Sequence, residues 1–594
     1  MPGLAVVIGP GDRRENEAVL QRMLRPMQHE AYYVSGTYAD EHSQLYIAWS
    51  VHPGSYCDCM PITSDDGDFV LFVYGEHHSN DAGASAAGCH GTARGLLPLI
   101  TAPQADKLRK LNGWLHGVLL DRRRRRVLVF NDRSGMQRLY YHRDGARSFF
   151  ASEAKALLHA KPGLRELCPR GVADYLACGA VLENRTLFPK IATFPPASMW
   201  TFEDGIERER TVYFDRSEWE HQAPLDPSEL EGTLESLLPS LIQRHARSRL
   251  PLAVSLTGGY DTRLIMAYLD RQQTNGASYT FGGIYRDCFD VKIARKVAAT
   301  CGYSHQVLPI DGEFFATFPT LAERTVYISD GNLGATNAYE LYLNTRARQV
   351  APVKMTGSFG SEVMRGSRAF KAKHTTPGLV SGDFEPVIDE AVRSFDEITR
   401  GNRLSFSVFK HAPWYYYNRL AIEQSQVVVR TPFLDNELVS LMYRVQHVDG
   451  DRRELTRRLI HHGNALLATM PTDTGNTSWL KYQLLQFLFQ ADYCYKSGMP
   501  QWLEQLHYTL RAVQPERWFI GLHRFQHFRV WFRQQLASYI REVLLDARTA
   551  SRPYFNRPFV EHMVARHLKG DRNYTDDIER VLTVELACRT LIDA

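Results

Sequence analysis

Over its first 205 or so residues the chain sets short apolar runs between turn-forming clusters. The runs are Gly3–Ile8, Gln44–Val51, Phe69–Tyr74, Leu115–Leu120, Val127–Phe130 and Leu139–His142. Pro10-Gly11, Asp65-Asp66-Gly67 and Asp144-Gly145 punctuate them. Runs of this length bounded by such turns predict strands. Helical spacing interrupts them around Glu17–Met27 and Gly171–Leu176. A layered α+β unit of packed antiparallel sheets accommodates both. Pro224-Leu225-Asp226-Pro227-Ser228 then signals the start of a helix over Glu229–Arg244, and a domain boundary is placed near residue 215.

From residue 250 the pattern changes to alternation of strand and helix. Leu250–Leu256, Ala277–Gly282, Gln306–Ile310 and Val353–Thr356 read as strands, and Asp290–Ala298 as a helix ending at Cys301-Gly302. That alternation predicts a doubly wound parallel sheet with ligand at the carboxyl ends of its strands. Residues 480–594 are aromatic-rich and helical in pattern, with Trp531–Leu545 amphipathic. A packed helical appendage is the expectation there, and a partner or membrane-surface face is the alternative. The expected divisions are 1–215, 216–480 and 481–594.

Composition narrows the class. A chain of 594 residues exceeds one hydrophobic core. Its formal net charge of +4 gives no ground for nucleic acid or an anionic membrane as partner. The Asp121-Arg122-Arg123-Arg124-Arg125-Arg126 run reads as a solvated hairpin turn. Nine scattered cysteines form neither a zinc pattern nor a disulfide framework, which fits a reducing cytoplasm. No signal-like start and no apolar stretch of about 18 residues is present. His461-His462 reads as a solvent-facing pair.

The candidate chemistry centres on Val254–Arg263. The strand stops at Gly258-Gly259, and Leu264, Ile265, Ala267, Tyr268 and Leu269 follow with helical spacing. Strand, glycine turn and helix place backbone N–H groups around a phosphate. Thr257 and Thr262 add hydroxyls, and Asp261 adds a carboxylate where a phosphate-bound Mg²⁺ needs one. An ordinary βα turn is the alternative on the glycines alone.

Thr257-Gly258-Gly259-Tyr260-Asp261-Thr262 resembles the Ser-Gly-Gly-x-Asp-Ser pyrophosphate loop of ATP pyrophosphatases, in the manner of asparagine synthetases. Asp290 through His305 resembles that family's Asp-x-x-x-Ala-x-x-Val-Ala-x-x-x-Gly-x-x-His segment. Thr356-Gly357-Ser358-Phe359-Gly360-Ser361-Glu362-Val363-Met364-Arg365-Gly366 resembles Ser-Gly-Glu-Gly-Ser-Asp-Glu-x-Phe-Gly-Gly. Arg430-Thr431-Pro432-Phe433-Leu434-Asp435 resembles Arg-x-Pro-Phe-Leu-Asp. Upstream, Asn131–Tyr141 and Phe150–Leu157 resemble the end of a class II glutamine amidotransferase domain, and Tyr74-Gly75-Glu76 stands at its Asn-Gly-Glu. The resemblance implies an N-terminal antiparallel β-sandwich of the Ntn-hydrolase type and an ATP-pyrophosphatase sheet.

It also implies chemistry. A carboxylate would be adenylated by MgATP, with an amine attacking the acyl carbon. Leu256, Thr257, Phe281, Thr356 and Gly357 fall where the family holds adenosine, and Gly258, Gly259, Asp261 and Thr262 belong to the pyrophosphate loop. Asp261, Arg263 and Glu362 are the expected catalytic residues, with Asp261 and Glu362 on the metal. Departures accompany the match. Pro2 replaces the family's nucleophilic cysteine, the glutamine clamp is Met27-Gln28-His29-Glu30-Ala31, and the oxyanion Asn is Tyr74. Ser358 and Ser361 replace carboxylates, Glu423 is unplaced, and the adenylation lysine has no match, Lys481 being the nearest. The expectation is a ligase joining a small-molecule or peptide carboxylate to an amine, in the manner of the β-lactam synthetases and lasso-peptide cyclases whose glutaminase half is disabled. An ammonia-dependent asparagine synthetase and a nucleotide-binding scaffold stay open, as does a homodimer.

Overall fold

In a computed structural model the described residues are 2–78, 92–101, 105–373, 375–445, 452–472, 490–510 and 516–594, with 483, 487, 488 and 512. Twelve strands build the N-terminal part: β1 (Gly3–Ile8), β2 (Val34–Asp40), β3 (Leu45–Val51), β4 (Ile62–Thr63), β5 (Phe69–Gly75), β6 (Leu115–Asp121), β7 (Arg126–Asn131), β8 (Tyr140–Asp144), β9 (Arg147–Ala151), β10 (Ala192–Thr193), β11 (Ser198–Glu203) and β12 (Ile206–Val212). They form two six-stranded sheets, ordered β10-β8-β9-β1-β3-β2 and β12-β11-β7-β6-β5-β4. Every pairing between these strands is antiparallel.

Side chains of a strand alternate between its two faces, and β1 uses both. Leu4, Val6 and Ile8 join the filling between the sheets with Phe72, Leu119 and Phe130. Ala5 and Val7 join Val19, Leu20 and Met23 of the helix Arg13–Leu24, which covers the outer face. A strand buried on both faces reads as an unbroken apolar run, and so Gly3–Ile8 was legible as a strand while its facing was not. The arginine run closes the β6–β7 hairpin, where Arg123 and Arg124 pair with Asp68 and Asp121 in solvent.

The third sheet is parallel. Strands β13 (Leu252–Ser255), β14 (Ala277–Gly282), β15 (Ser304–Pro309), β16 (Val353–Thr356) and β17 (Val428–Arg430) take the order β15-β14-β13-β16-β17. The chain starts at the centre, builds outward through β14 and β15, then returns to the other side of β13. Ser255 pairs with Thr356 at that reversal. The crevice at such a switch point is where open α/β sheets hold ligand. The fifth strand, β17, is three residues long and had no periodic signal of its own.

The C-terminal residues are helical, including Gln501–Thr509, Arg557–Lys569 and Thr575–Ala587. They pack onto the helix Gly312–Ile328, where the fully buried Trp531 meets the rings of Phe314 and Phe315 at 6.0 and 5.2 Å. The amphipathic stretch Trp531–Leu545 is not one helix. Leu536 N–H bonds back to the Trp531 carbonyl at 2.8 Å, closing a turn between Phe528–Trp531 and Ala537–Leu544. Ile540, Val543 and Leu544 are buried within the chain, as a packed appendage requires. No helix among the described residues is long and apolar enough to cross a membrane.

Candidate active site

The carboxyl ends of β13 and β16 carry the two glycine-bearing loops. Helix Tyr260–Tyr268 starts directly after Gly259, so its first N–H groups open onto the crevice. Inside the loop Thr257 N–H donates to Thr262 Oγ1 at 3.3 Å, and the two threonine hydroxyls lie 3.3 Å apart. Asp290, at the start of helix Phe289–Thr300, accepts the Gly258 N–H at 2.8 Å. The aspartate that opens the Asp290–His305 match therefore fixes the loop, a positioning task that the motif alone did not reveal.

The second loop packs hard against the first. A Cβ at Gly357 would meet Thr262 N at 2.8 Å, and one at Gly360 would meet Asp261 Cγ at 2.4 Å. Only glycine fits either place. Phe359 adopts φ +67°, where the resembling motif has glycine. A bulky residue in the left-handed region is strained. Its ring is held against Tyr416 and His411, at 5.0 and 5.1 Å between centroids.

The carboxylates expected on a metal are otherwise engaged. Asp261 Oδ1 accepts from Arg365 Nη1 at 2.6 Å, and Arg365 stands where the motif has glycine. Glu362 accepts the Ser361 hydroxyl at 2.7 Å. Burial holds the Glu362 carboxyl above its usual range; the Ser361 hydroxyl opposes this and the Asp261 charge adds to it. Among the described residues no group of three or more His, Cys, Asp or Glu side chains could hold a metal ion. The Arg365 guanidinium competes with a metal for Asp261, the carboxylate expected on Mg²⁺ together with Glu362.

Arg263, expected among the catalytic residues, is held by backbone carbonyls. Its buried guanidinium donates to the carbonyls of Gly258, Leu467, Met470 and Pro471, at 3.2, 3.3, 2.7 and 2.8 Å. It braces the loop against the segment after helix Ala465–Thr469 rather than facing the crevice. On the adenosine side, Leu256 is buried and its carbonyl accepts the Thr280 hydroxyl at 2.9 Å. Phe281 borders the same edge, with Phe525 of the C-terminal part at 6.4 Å. Thr356 Oγ1 lies 3.2 Å from Ser358 Oγ, which accepts from Tyr416 at 2.9 Å. Glu423 is placed at last. It bonds Lys354 Nζ at 3.0 Å and Arg419 Nε at 3.0 Å, behind β16. Lys481 lies outside the described residues.

In the N-terminal half, the residues at the glutaminase positions are tied to other parts of the chain. Pro2 is buried. His29 Nε2 lies 2.8 Å from Glu153 Oε1, and Glu30 accepts from Arg324 and Gln426 at 2.7 Å each. Glu76 pairs in two-pronged fashion with Arg430, at 2.6 and 2.7 Å. Cys57 donates from Sγ to the Gly75 carbonyl at 3.0 Å, and burial pushes its thiol up. Cys57, Tyr74, Gly75, Glu76 and Arg430 line a cavity of about 50 Å³ between the sandwich and the parallel sheet; Pro2, His29 and Glu30 lie outside its lining.

The other matched motifs also serve as fastenings. Lys155 bonds Glu153 and Asp330, both at 3.0 Å, and Asp330 accepts the N–H groups of Ala154 and Lys155. Asp435 accepts from Arg244 through both oxygens, from His245 at 2.9 Å and from Asn112 at 2.9 Å. Burial pushes the Asp435 carboxyl up, but the hydrogen bond and charge of His245 and Arg244 outweigh it and hold it at about 2.

A two-part protein follows from fold and loop: an amidotransferase-type sandwich joined to a synthetase-type parallel sheet. Comparison with known proteins bears on both parts. A glutamine amidotransferase domain family matches residues 1–214, and an asparagine synthase family matches residues 233–380. Asparagine synthetase (glutamine-hydrolyzing) 1 of Bacillus subtilis is 20% identical over 96% of this chain and 93% of its own length. A putative asparagine synthetase (glutamine-hydrolyzing) of Methanocaldococcus jannaschii is 22% identical over 46% of this chain and 53% of its own, so the match spans about half of that relative. A solved glutamine phosphoribosylpyrophosphate amidotransferase from B. subtilis shares 10% identity over 52% of this chain and 91% of its own, at a TM-score of 0.27, too low to carry an argument. Both parts of the chain are thus similar to those of asparagine synthetases, the sandwich to a glutamine amidotransferase domain and the parallel sheet to an asparagine synthase domain.

Proposed function

We propose that this chain adenylates a carboxylic acid with ATP and joins the acyl group to an amine that its own N-terminal half does not generate. The observation that carries the reading is the glycine loop at the switch point, held open by Asp290 and closely covered by Gly357 and Gly360. ATP would lie across the carboxyl ends of β13 and β16. Its β- and γ-phosphates meet the helix N-terminus and the Thr257 and Thr262 hydroxyls. The acid oxygen attacks the α-phosphorus and pyrophosphate leaves. The amine then attacks the acyl carbon and AMP leaves. Stabilising the departing pyrophosphate is the main electrostatic task of such a site. Arg365, fixed beside Asp261, is the cation nearest that task. The divisions 1–215, 216–480 and 481–594 belong to this reading.

The amine source rests on the N-terminal half. Glutamine hydrolysis needs a thiolate, and Pro2 has none. Tyr74 stands at the oxyanion position and is buried. A cavity of about 50 Å³ holds a few waters rather than an amino acid. The amine is therefore free ammonia or an amino group on a substrate. The deciding experiment is product analysis with ATP and a panel of acids. AMP and pyrophosphate support the reading; ADP and phosphate sink it. Arg365 on Asp261 also favours a second reading, a nucleotide-binding scaffold, in which ATP binds and no acid is consumed.

A further inference from the structure

Near the loops lies a cavity of about 340 Å³ where all three parts of the chain meet. Tyr175 of the N-terminal part, Tyr339 and Tyr416 of the synthetase part and Phe528 of the C-terminal part give it aromatic walls. Tyr416 ties it to the crevice through its hydrogen bond to Ser358. Two π-helical segments border it. Ser407–Tyr416 supplies Tyr415 and Tyr416, and Cys494–Gly498 supplies Lys496 and Ser497. Such segments are rare and concentrate at functional sites.

Lys373, Arg419, Lys496 and Arg580 face Asp576 and Glu579. Arg419 is paired with Glu340 and Glu423, and Arg580 with Asp577, which leaves the two lysines beside Asp576 and Glu579. Burial holds the Glu579 carboxyl above its usual range against the pull of Lys373, and Glu579 accepts the Thr336 hydroxyl. The ammonium groups of Lys373, at the rim, and Lys496, half-buried, have no hydrogen bond or ion pair to a described residue. Burial and the repulsion of Arg524 bring Lys496 down to about 8 against the pull of Glu579 and Asp576. A half-buried ammonium that hydrogen-bonds no described residue is a position for an anion.

We infer that this cavity is the acid site of the ligase, and that it takes an aromatic or similarly bulky carboxylic acid with a second anionic group, held by Lys496 and Lys373. The inference rests on the function proposed above and adds the substrate class to it. A cavity of this volume falls among ligand pockets of roughly 300–1,000 Å³. The reacting carboxylate would sit at the Tyr416–Ser358 end and the second anion at the lysine end. Free aspartate has two anionic groups but no bulk to fill the aromatic walls.

Phenylsuccinate is a suitable probe, titrated calorimetrically into the full chain beside aspartate and phenylacetate. Phenylsuccinate should bind saturably and more tightly than either. Lys496→Met should weaken it about tenfold, the effect of one lost charge-assisted hydrogen bond, and Lys496→Arg should restore most of the loss. Lys373→Met at the rim serves as the second variant if the first does not fold. Absence of saturable phenylsuccinate binding to the wild-type chain, or equal affinity in both methionine variants, overturns the inference. ATP titration of the wild-type chain separates the two readings. Phenylsuccinate binding without ATP binding sinks the proposed function and supports the pocket. ATP binding without phenylsuccinate binding sinks the pocket and leaves the function.

Discussion

Two cavities of this molecule have opposite characters. The one between the sandwich and the parallel sheet has about 50 Å³ and is roofed by the Glu76–Arg430 pair. The one beneath the C-terminal helices has about 340 Å³ and two lysines whose ammonium groups bond no described residue. Around the first, polar groups are consumed by contacts within the chain: Glu76 with Arg430, His245 with Asp435, Cys57 with the Gly75 carbonyl. Around the second, and in the adjoining loops, bare glycines, strained backbone at Phe359 and the two lysine ammonium groups persist. Buried polar groups that satisfy each other hold a structure together; groups that stay unsatisfied are kept for a ligand. On this comparison the N-terminal half has become a structural partner, and the working surface lies at the parallel sheet and the helices above it.

The strongest break of that comparison is at Asp435. Asp435→Ala leaves the buried Arg244 with only the exposed Glu437 carboxylate, and loss of one partner of such a buried pair destabilises by about 3–5 kcal/mol. Urea unfolding reads it, and a change below about 1 kcal/mol would show that the junction is not held there. The same residue sets an acid limit. Its carboxyl is depressed to about 2 when folded, against about 3.9 unfolded. Its contribution, about 2–3 kcal/mol, is complete above the unfolded value and disappears as pH falls through about 2. Unfolding measured from pH 5 to pH 2 should steepen in that window in the wild-type chain and not in Asp435→Asn.

Next in size is Gly360→Ala. The added methyl would press on the Asp261 side chain, and overpacking of this kind amounts to about 1–3 kcal/mol. ATP affinity should fall about tenfold or more while the acid unfolding profile stays put. Arg365→Gly sharpens the metal question. It frees Asp261, so Mg²⁺ should strengthen ATP binding in the variant by about tenfold, or about 1.4 kcal/mol, more than in the wild type. An identical metal dependence in both chains would return Asp261 to its expected role as a ligand. The exposed Arg458–Glu231 pair is the small end of the scale. Arg458→Ala should change stability by about 0.5 kcal/mol or less.

Much of this arrangement could be read from the chain. Ala277–Gly282 and Val353–Thr356 are strands with the bounds read from the sequence, although Ser278, Thr280 and Lys354 interrupt their apolar residues; Lys354 is buried there by its pairing with Glu423. The Thr257–Thr262 loop is where two glycines between strand and helix put it. What escaped detection depends on contacts distant in sequence. Arg263 looked like a reacting residue because it adjoins the loop; its place under four carbonyls is set by a segment some two hundred residues on. The motif offers Asp261 as a metal ligand and gives no sign of its pairing with Arg365. The fastening roles of Lys155 and Asp435 needed both halves in view, since each spans the sandwich and the synthetase part. The cavity under the C-terminal helices draws residues from Tyr175 to Arg580, and no local pattern joins them.

The contrast between the halves is tested most directly by a coupled glutamate assay on the purified full chain with glutamine, in the presence and absence of ATP. The expected result is no enzyme-dependent glutamate in either condition, and none after Pro2→Cys, because Tyr74 and the engaged His29 and Glu30 still leave the glutamine without an oxyanion donor or a clamp. Steady glutamate formation by the wild-type chain would contradict the structural role assigned to the N-terminal half.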